Sequence, residues 1–496
     1  MSNKPQTSYP VTGSAYGWPL IVLCALQLMV VLDGTVVNLA LARIQQDLGL
    51  TDELRSWVVT AYALAYGGLL LLGGRIGDVF GRKRVFLIGV GLFTVASLAC
   101  GLTNSAILLL VARVVQGLGA AIASPTAMAL LVVTFAPGKP RNQAFSVFAM
   151  MTGLGSVLGL VIGGALTQAS WRWIFLINVP IGLLIVVAGM KYLRHPGDRA
   201  TITLDVRGAI LATAASTLLV FGLSAGGGGA SPLIVASLML GAVLLVLFFL
   251  SQRKASHPVL PLSMFANRSR AAVFVCLLLV GALMMAMTVQ VALFVQEVLQ
   301  YTPLQAGLAF IPFAFALGAG SGVAGKLAET VAPRFIAAGG GVILVGGFIY
   351  GSTLDMTASY WPDLLVPILI IGAGIGIILI PLTLSVVAGV KPDEVGPLTA
   401  TSLVSQTLGG PLGLAGVTAF AERVVRSGLG DAAFETLNRS ALTEVQRAAL
   451  GQGYTDSLLI CAALAACVVV ICLVLVRFTP EDIREGKKAE ELANQG

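Results

Sequence analysis

The chain has 496 residues, 57% of them hydrophobic and only 11% charged, with a mean hydropathy of +0.93. A soluble domain carries about a quarter charged residues, so the side chains needed to cover a water-facing surface are missing. That excludes soluble enzymes, nucleic-acid-binding modules and secreted disulfide scaffolds, and the net charge of +7 reads as membrane orientation rather than as a nucleic-acid footprint.

The polar stretch 1–17 precedes an apolar segment too long for a signal-peptide core and without a small-residue cleavage site, so the first span is expected to stay in place. Requiring roughly 20 mostly apolar residues per span predicts spans at 20–42, 54–74, 85–104, 106–133, 143–168, 174–193, 208–225, 232–250, 271–299, 304–327, 335–354, 363–389, 396–420 and 455–478. An all-α membrane protein of fourteen spans is expected. All six cysteines lie in apolar runs and read as small hydrophobes, while His195 and His257 sit beside prolines in connecting stretches. No metal or organic cofactor is expected.

With the N-terminus cytoplasmic, the inner connections hold Arg82, Lys83, Arg84, Lys139, Arg141, Arg253, Lys254, Arg268 and Arg270, whereas the outer ones hold Arg43, Arg55, Arg172 and a cluster at Arg423, Arg426, Arg439 and Arg447. The bias follows the positive-inside rule and places both termini in the cytoplasm.

Laying the two halves over each other shows a repeat: Gly74-Arg75-Ile76-Gly77-Asp78 follows the second span and Gly325-Lys326-Leu327-Ala328-Glu329 the tenth. The expected organisation is a tail at 1–17, a six-helix bundle at 18–200, two inserted transmembrane helices at 201–255, a second six-helix bundle at 256–478 and a tail at 479–496.

Asp33 and Arg113 are ionisable residues within apolar runs, at similar expected depths. Each costs on the order of 2.5 to 3.5 kcal/mol at the membrane centre and must face a partner or a water-filled cavity, so mutual pairing beside a wet passage between the halves is expected. Burial raises the proton affinity of such a carboxylate and a nearby guanidinium lowers it, which makes the pair a coupling device if one influence changes. A permanent ion pair tying two helices is the plain structural reading. Gln116 shares the helix face of Arg113. Glu297, near the outer end of its span, reads first as a solvated interfacial acid and otherwise as a second proton or cation site. Trp57, Tyr62, Tyr66, Met284, Met285 and Met287, with Asp33 and Gln116, are the expected substrate-cavity wall, although the same residues serve as interface-belt and packing groups.

The chain resembles the major facilitator superfamily, in its fourteen-helix drug:proton antiporter branch. The resemblance rests on Gly74, Ile76, Asp78, Gly81, Arg82 and Lys83 between the second and third spans, and on Arg113, Gln116, Gly117, Gly119 and Ala121 in the fourth. Two longer stretches add to it, Leu32-Asp33-Gly34-Thr35-Val36-Val37-Asn38 and Trp171-Arg172-Trp173-Ile174-Phe175-Leu176-Ile177-Asn178-Val179-Pro180-Ile181-Gly182. It implies two bundles that alternate access about a central cavity, and a cytoplasmic gate at Gly74, Asp78, Gly81, Arg82 and Lys83 with Glu329 as the counterpart. One departure is visible: where the family has a proline in the fifth-span motif, Leu160 follows Gly159, with Gly155, Gly163 and Gly164 in place. A straighter fifth helix is therefore expected, and the glycines, four apart, form a face suited to close helix contact.

The expected function is proton-driven export of amphiphilic or cationic apolar compounds by a monomer, with membrane lipids, protons and the small-molecule substrate as partners. Movement of lipids or other membrane-resident amphiphiles is the alternative, and a non-transporting membrane sensor a third reading. No phosphate-binding loop points to ATP as the energy source.

Overall fold

The structure, a computed structural model, describes residues 17–135, 139–193, 205–225, 231–255, 265–328, 330–390, 392–435, 437 and 442–482. These residues form an all-helical membrane fold. In chain order the helices are α1 (Trp18–Leu48), α2 (Asp52–Phe80), α3 (Arg82–Leu102), α4 (Ala106–Thr134), α5 (Lys139–Ala169), α6 (Trp173–Leu176), α7 (Asn178–Tyr192), α8 (Val206–Ala225) and α9 (Pro232–Gln252). There follow α10 (Arg268–Leu293), α11 (Pro303–Ala309), α12 (Ile311–Leu327), α13 (Pro333–Gly351), α14 (Leu365–Val386), α15 (Pro392–Leu429), α16 (Asp431–Glu435) and α17 (Glu444–Leu475), with π-helical segments at Phe294–Val298 and Tyr360–Leu364.

Ten described helices are long and apolar enough to cross a bilayer, and α8 contributes a shorter apolar stretch, Ile210–Leu223. Within lipid a helix satisfies every backbone donor and acceptor internally, which is why apolar runs of this length adopt no other form. Several of the described connections are short and chemically specified. Gly49 ends α1 at φ 62°, Gly81 turns α2 into α3 at φ 96°, and Thr302 and Thr443 open α11 and α17 with capping boxes to Gln305 and Gln446. Pro312 lies at the start of α12, where it cannot donate to the preceding turn, and the expected span at 304–327 is accordingly broken at Phe310.

The repeat seen in five residues is written throughout the packing. In the first half α1 packs on α5, α2 on α4, α3 on α4, and α7 on both α1 and α3; in the second, α10 packs on α15, α12 on α14, α13 on α14, and α17 on both α10 and α13. Helices α8 and α9 pair with each other, and α8 also touches α2 and α15. The halves meet mainly where α2 packs on α15 and α5 on α11, with smaller contacts of α1 against α10 and α11.

Two predicted features of the helices are resolved at this level. Helix α5 runs unbroken through Leu160, and Gly155, Gly159 and Gly163 lie against Val31, Thr35 and Val36 of α1, where a Cβ on any of them would crowd the facing helix. Gly164 instead faces the backbone of Pro303 and Leu304 in the other half. Helix α1 extends to Leu48 rather than 42, so Asp33 lies 15 residues from each end of its 31-residue helix, about 23 Å from either tip at 1.5 Å per residue.

Candidate functional site

Asp33 and Arg113 meet. The Arg113 guanidinium donates to the Asp33 carboxylate at 2.7 Å, and both residues are fully buried, at 0% exposure. The expected wet passage beside them is not met in this conformation: solvent reaches neither residue. A chain of donors and acceptors takes water's place. Asp33 Oδ1 accepts from Gln116 Nε2 at 2.8 Å and from Asn178 Nδ2 at 2.9 Å. Arg113 Nε donates to the Val58 carbonyl at 2.9 Å, and its Nη1 also donates to Gln116 Oε1 at 2.7 Å. Gln116 Nε2 reaches Ser97 Oγ at 2.8 Å. The guanidinium lies 4.3 Å from the Tyr62 ring centroid and 5.6 Å from that of Phe175, within the range of cation–π attraction.

Helices α1, α2, α3, α4 and α7 thus each contribute to one desolvated polar cluster, and all belong to the first half. The local sequence accounts for the close approach. Gly117, one turn after Arg113, lies against the Tyr62 carbonyl and the Ala65 methyl, and Gly119 against the backbone of Phe93 on α3, so α4 sits near enough to both neighbours for short side-chain bonds. Asn178 and Ser97 were not singled out from the sequence. Asn178 carried a signal, as an amide within the long Trp171 to Gly182 stretch, whereas a serine within a helix gives none. Asn38 is not part of this cluster; its amide bonds the Gly34 carbonyl of its own helix at 3.4 Å.

The other expected cavity residues are dispersed. Tyr62 lies under Arg113, and Tyr66 stacks on it at 5.9 Å between centroids. Trp57 is not among the groups that bond the Asp33 and Arg113 pair. With Leu64, Leu110, Val114, Thr213 and Thr217 it lines an almost wholly apolar groove of about 220 Å³ between α2, α4 and α8, and its ring meets Phe221. Met287 is fully buried in the core, Met285 packs on Gly410 of α15, and Met284 takes a weak contact from Gln406 at 3.8 Å. The thioethers mainly fill the α10 to α15 seam, because close helix crossing leaves irregular gaps that an unbranched chain fills.

Glu297 corrects its first reading as a solvated acid: it is 4% exposed and accepts from Arg55 at 3.0 Å and from the Tyr454 hydroxyl at 2.6 Å. Arg55, expected as a charge in an outer connection, is 3% exposed. The Trp171 and Arg172 pair has a structural task as well. Both donate to Asp47 Oδ2, at 2.8 and 2.6 Å, and Arg172 reaches Asn104 Oδ1 at 2.6 Å, tying the adjacent ends of α1, α3 and α6.

Of the expected cytoplasmic gate, Gly74 rests on Pro125 and Gly81 needs its positive φ, while the Asp78 side chain and Glu329 lie outside the described residues. Arg82 opens α3. Lys83 Nζ donates to the carbonyls of Met190, at 2.8 Å, and Leu193, capping the C-terminal end of α7 within the same half. Lys83→Met is therefore expected to destabilise by about 1 to 2 kcal/mol, the usual effect of losing a charged helix-end contact, with transport per folded molecule little changed. Thermal unfolding and transport assayed on the same preparation check this, and lost transport at unchanged stability would move Lys83 back to the gate.

A long-helix membrane fold in two packing repeats, with a charge pair enclosed in one of them, is that of a membrane-transporter class of protein. The major facilitator superfamily model matches residues 23–414, and the chain belongs to that family. It is 42% identical over 501 residues to the MFS-type transporter EfpA of Mycobacterium tuberculosis, covering 100% of this chain and 93% of EfpA. It is 35% identical over 431 residues to the puromycin resistance protein pur8 of Streptomyces alboniger, covering 84% and 85%, and 36% identical over 403 residues to the cephamycin export protein CmcT of Amycolatopsis lactamdurans, covering 80% and 83%. Among solved structures, a bacterial homologue of the human lysosomal transporter Spinster superposes with a TM-score of 0.67 at 17% identity, covering 95% of this chain and 98% of that one. That likeness concerns the fold.

Proposed function

We propose that this chain is a proton-driven exporter of amphiphilic, largely apolar compounds, working by alternating access. The observation that carries the reading is the Asp33 and Arg113 pair, buried and hydrogen-bonded on every side in the middle of a membrane helix. Such pairs add little net stability relative to apolar packing, so their presence in a membrane core favours a functional reason. The relatives named for puromycin resistance and cephamycin export support export as the direction.

In this reading Asp33 accepts the proton and Arg113 sets when it can do so. Because their hydrogen-bond partners are all in the first half, rocking the halves apart does not by itself separate the pair; a proton reaches Asp33 only after a change within α1, α2, α4 or α7. We take the chain as fourteen spans, divided at 18–200, 201–255 and 256–478, with both termini cytoplasmic in a bacterial plasma membrane. Gly74, Asp78, Gly81 and Arg82, with Glu329 as the counterpart, remain the proposed cytoplasmic gate, while Lys83 is given to the end of α7 and Glu297 moves from proton coupling to its contact with Arg55.

The test is counterflow in liposomes with an imposed pH gradient, following a lipophilic fluorescent cation together with internal pH. Cation efflux accompanied by proton entry is expected, and efflux indifferent to the gradient would count against proton antiport. A second reading, movement of membrane-resident amphiphiles, is favoured by the groove at Trp57, which α2, α4 and α8 line almost entirely with apolar groups. Gradient-independent transfer of a labelled phospholipid in the same liposomes would select it.

A further inference from the structure

The two halves are joined at one end of the molecule by a buried ion pair. Arg55, in the first turn of α2, donates through Nη1 to Glu297 Oε1 at 3.0 Å across 242 positions of sequence, with side chains 3% and 4% exposed. Each charge is held from its own side. Arg55 Nη1 also reaches Gln45 Oε1 at 2.8 Å, and Gln45 Nε2 is fixed by the Leu50 carbonyl at 3.1 Å. Glu297 Oε2 accepts from Tyr454 on α17 at 2.6 Å. Gln45, Leu50 and Arg55 belong to the first packing repeat, and Glu297 and Tyr454 to the second.

The backbone around Glu297 departs from an ordinary helix. Residues Phe294–Val298 form a π-helical turn, and Gln300 follows at φ 60°, with its side chain donating back to the Glu297 carbonyl at 2.6 Å. Wider turns of this kind and non-glycine residues at positive φ occur where a side chain is aimed for a purpose. Here they accompany a carboxylate turned toward the other half.

We propose that Arg55 and Glu297 form an ionic lock that holds this end of the transporter closed, the outer end in the proposed orientation, and that it is made and broken once per transport cycle. The inference rests on the alternating-access reading for its place in a cycle. The physical argument concerns cost. A buried ion pair gains about as much from mutual attraction as it loses in hydration, so breaking it into water is nearly balanced, provided both charges are wetted together. An apolar contact of the same area would favour closure alone. The lock therefore fixes the register of closure without trapping the closed state. Asp33 and Arg113, enclosed by one half, lack this property.

The experiment places spin labels at Ala169→Cys and Met356→Cys in a cysteine-free background of the full chain in lipid nanodiscs. Both positions are exposed, and both lie at the lock's end: Ala169 precedes the Trp171 contact to Asp47, and Met356 follows Gly351, which faces Leu458 one turn from Tyr454. Distances are measured by double electron–electron resonance in the unmodified lock, in R55A, in E297Q and in the double variant. Each single change is expected to raise the ratio of long to short distances about tenfold, because it leaves the other charge buried without its partner, and the double change to bring the ratio back toward that of the unmodified chain. E297Q retains an acceptor for Tyr454 and is the variant to rely on if R55A misfolds. An unchanged distribution in folded E297Q, or additive shifts in the double variant, would overturn the lock. Liposome transport by the same proteins separates the two claims. Shifted distances with no transport by the unmodified chain sink the exporter and leave the lock, whereas transport with unmoved distances sinks the lock alone.

Discussion

Asp33→Asn is expected to lower the unfolding free energy by about 3 to 5 kcal/mol, the usual consequence of removing one member of a buried ion pair, and to reduce proton-driven export to background. The stability loss follows from burial. Arg113 is at 0% exposure and cannot shed its proton, so an asparagine beside it leaves a positive charge without its counter-ion. The amide's one acceptor oxygen can still serve Gln116 and Asn178, which share Oδ1, but Arg113 then faces an NH2 donor where Oδ2 stood. Asp33→Asn combined with Arg113→Gln removes both charges and should recover most of the lost stability while leaving export at background. Thermal unfolding in detergent and gradient-driven flux in liposomes give the two readouts. If the single variant melts like the unmodified protein, the pair is not the tightly coupled unit described; if the double variant still exports with the gradient, Asp33 is not the proton acceptor.

The second large effect concerns the seam between α10 and α15. Gly281 faces the Gln406 carbonyl and Gly409 faces the Leu278 carbonyl, each so closely that an added methyl would overlap backbone rather than a movable side-chain end. Gly409→Ala must push the two helices apart, and overpacking of this kind costs typically about 1 to 3 kcal/mol. The displacement would also disturb the buried groups α10 carries, Gln290 among them, whose amide donates to Ser457 on α17 at 3.2 Å. A Gly416→Ala control, where nothing lies within 4 Å of an added Cβ, should leave stability nearly unchanged. Equal melting temperatures for the two alanine variants would show that the seam tolerates widening.

The equivalence of that seam with the contact of α1 on α5 explains the glycines of the fifth helix. Gly155, Gly159 and Gly163 let α5 lie against the segment of α1 that presents Asp33. Packing is therefore a sufficient reason for them, and with α5 unbroken at Leu160 no bend is needed to keep that contact. The same glycines position the helix that carries the proposed proton site, so the structural and functional roles coincide at those residues.

Hydropathy alone determined that this is a helical membrane protein, because a run of apolar residues in lipid has to satisfy its backbone within itself and the helix is how it does so. The meeting of Asp33 with Arg113 was legible for a related reason: two opposite charges stranded in apolar helices have few partners other than each other. Gln116, three positions after Arg113 on the same helix face, was legible as well, and it bonds both charges; the partners from other helices were not. Asn178 and Ser97 join it from α7 and α3, at positions where small polar residues give no periodic signal of the direction they face. Glu297 shows the limit most clearly. From the sequence it is an acid near a span's end, which water can solvate; in the fold it meets Arg55 from a helix 242 positions away, and only the packing of one half against the other decides that no water remains between them.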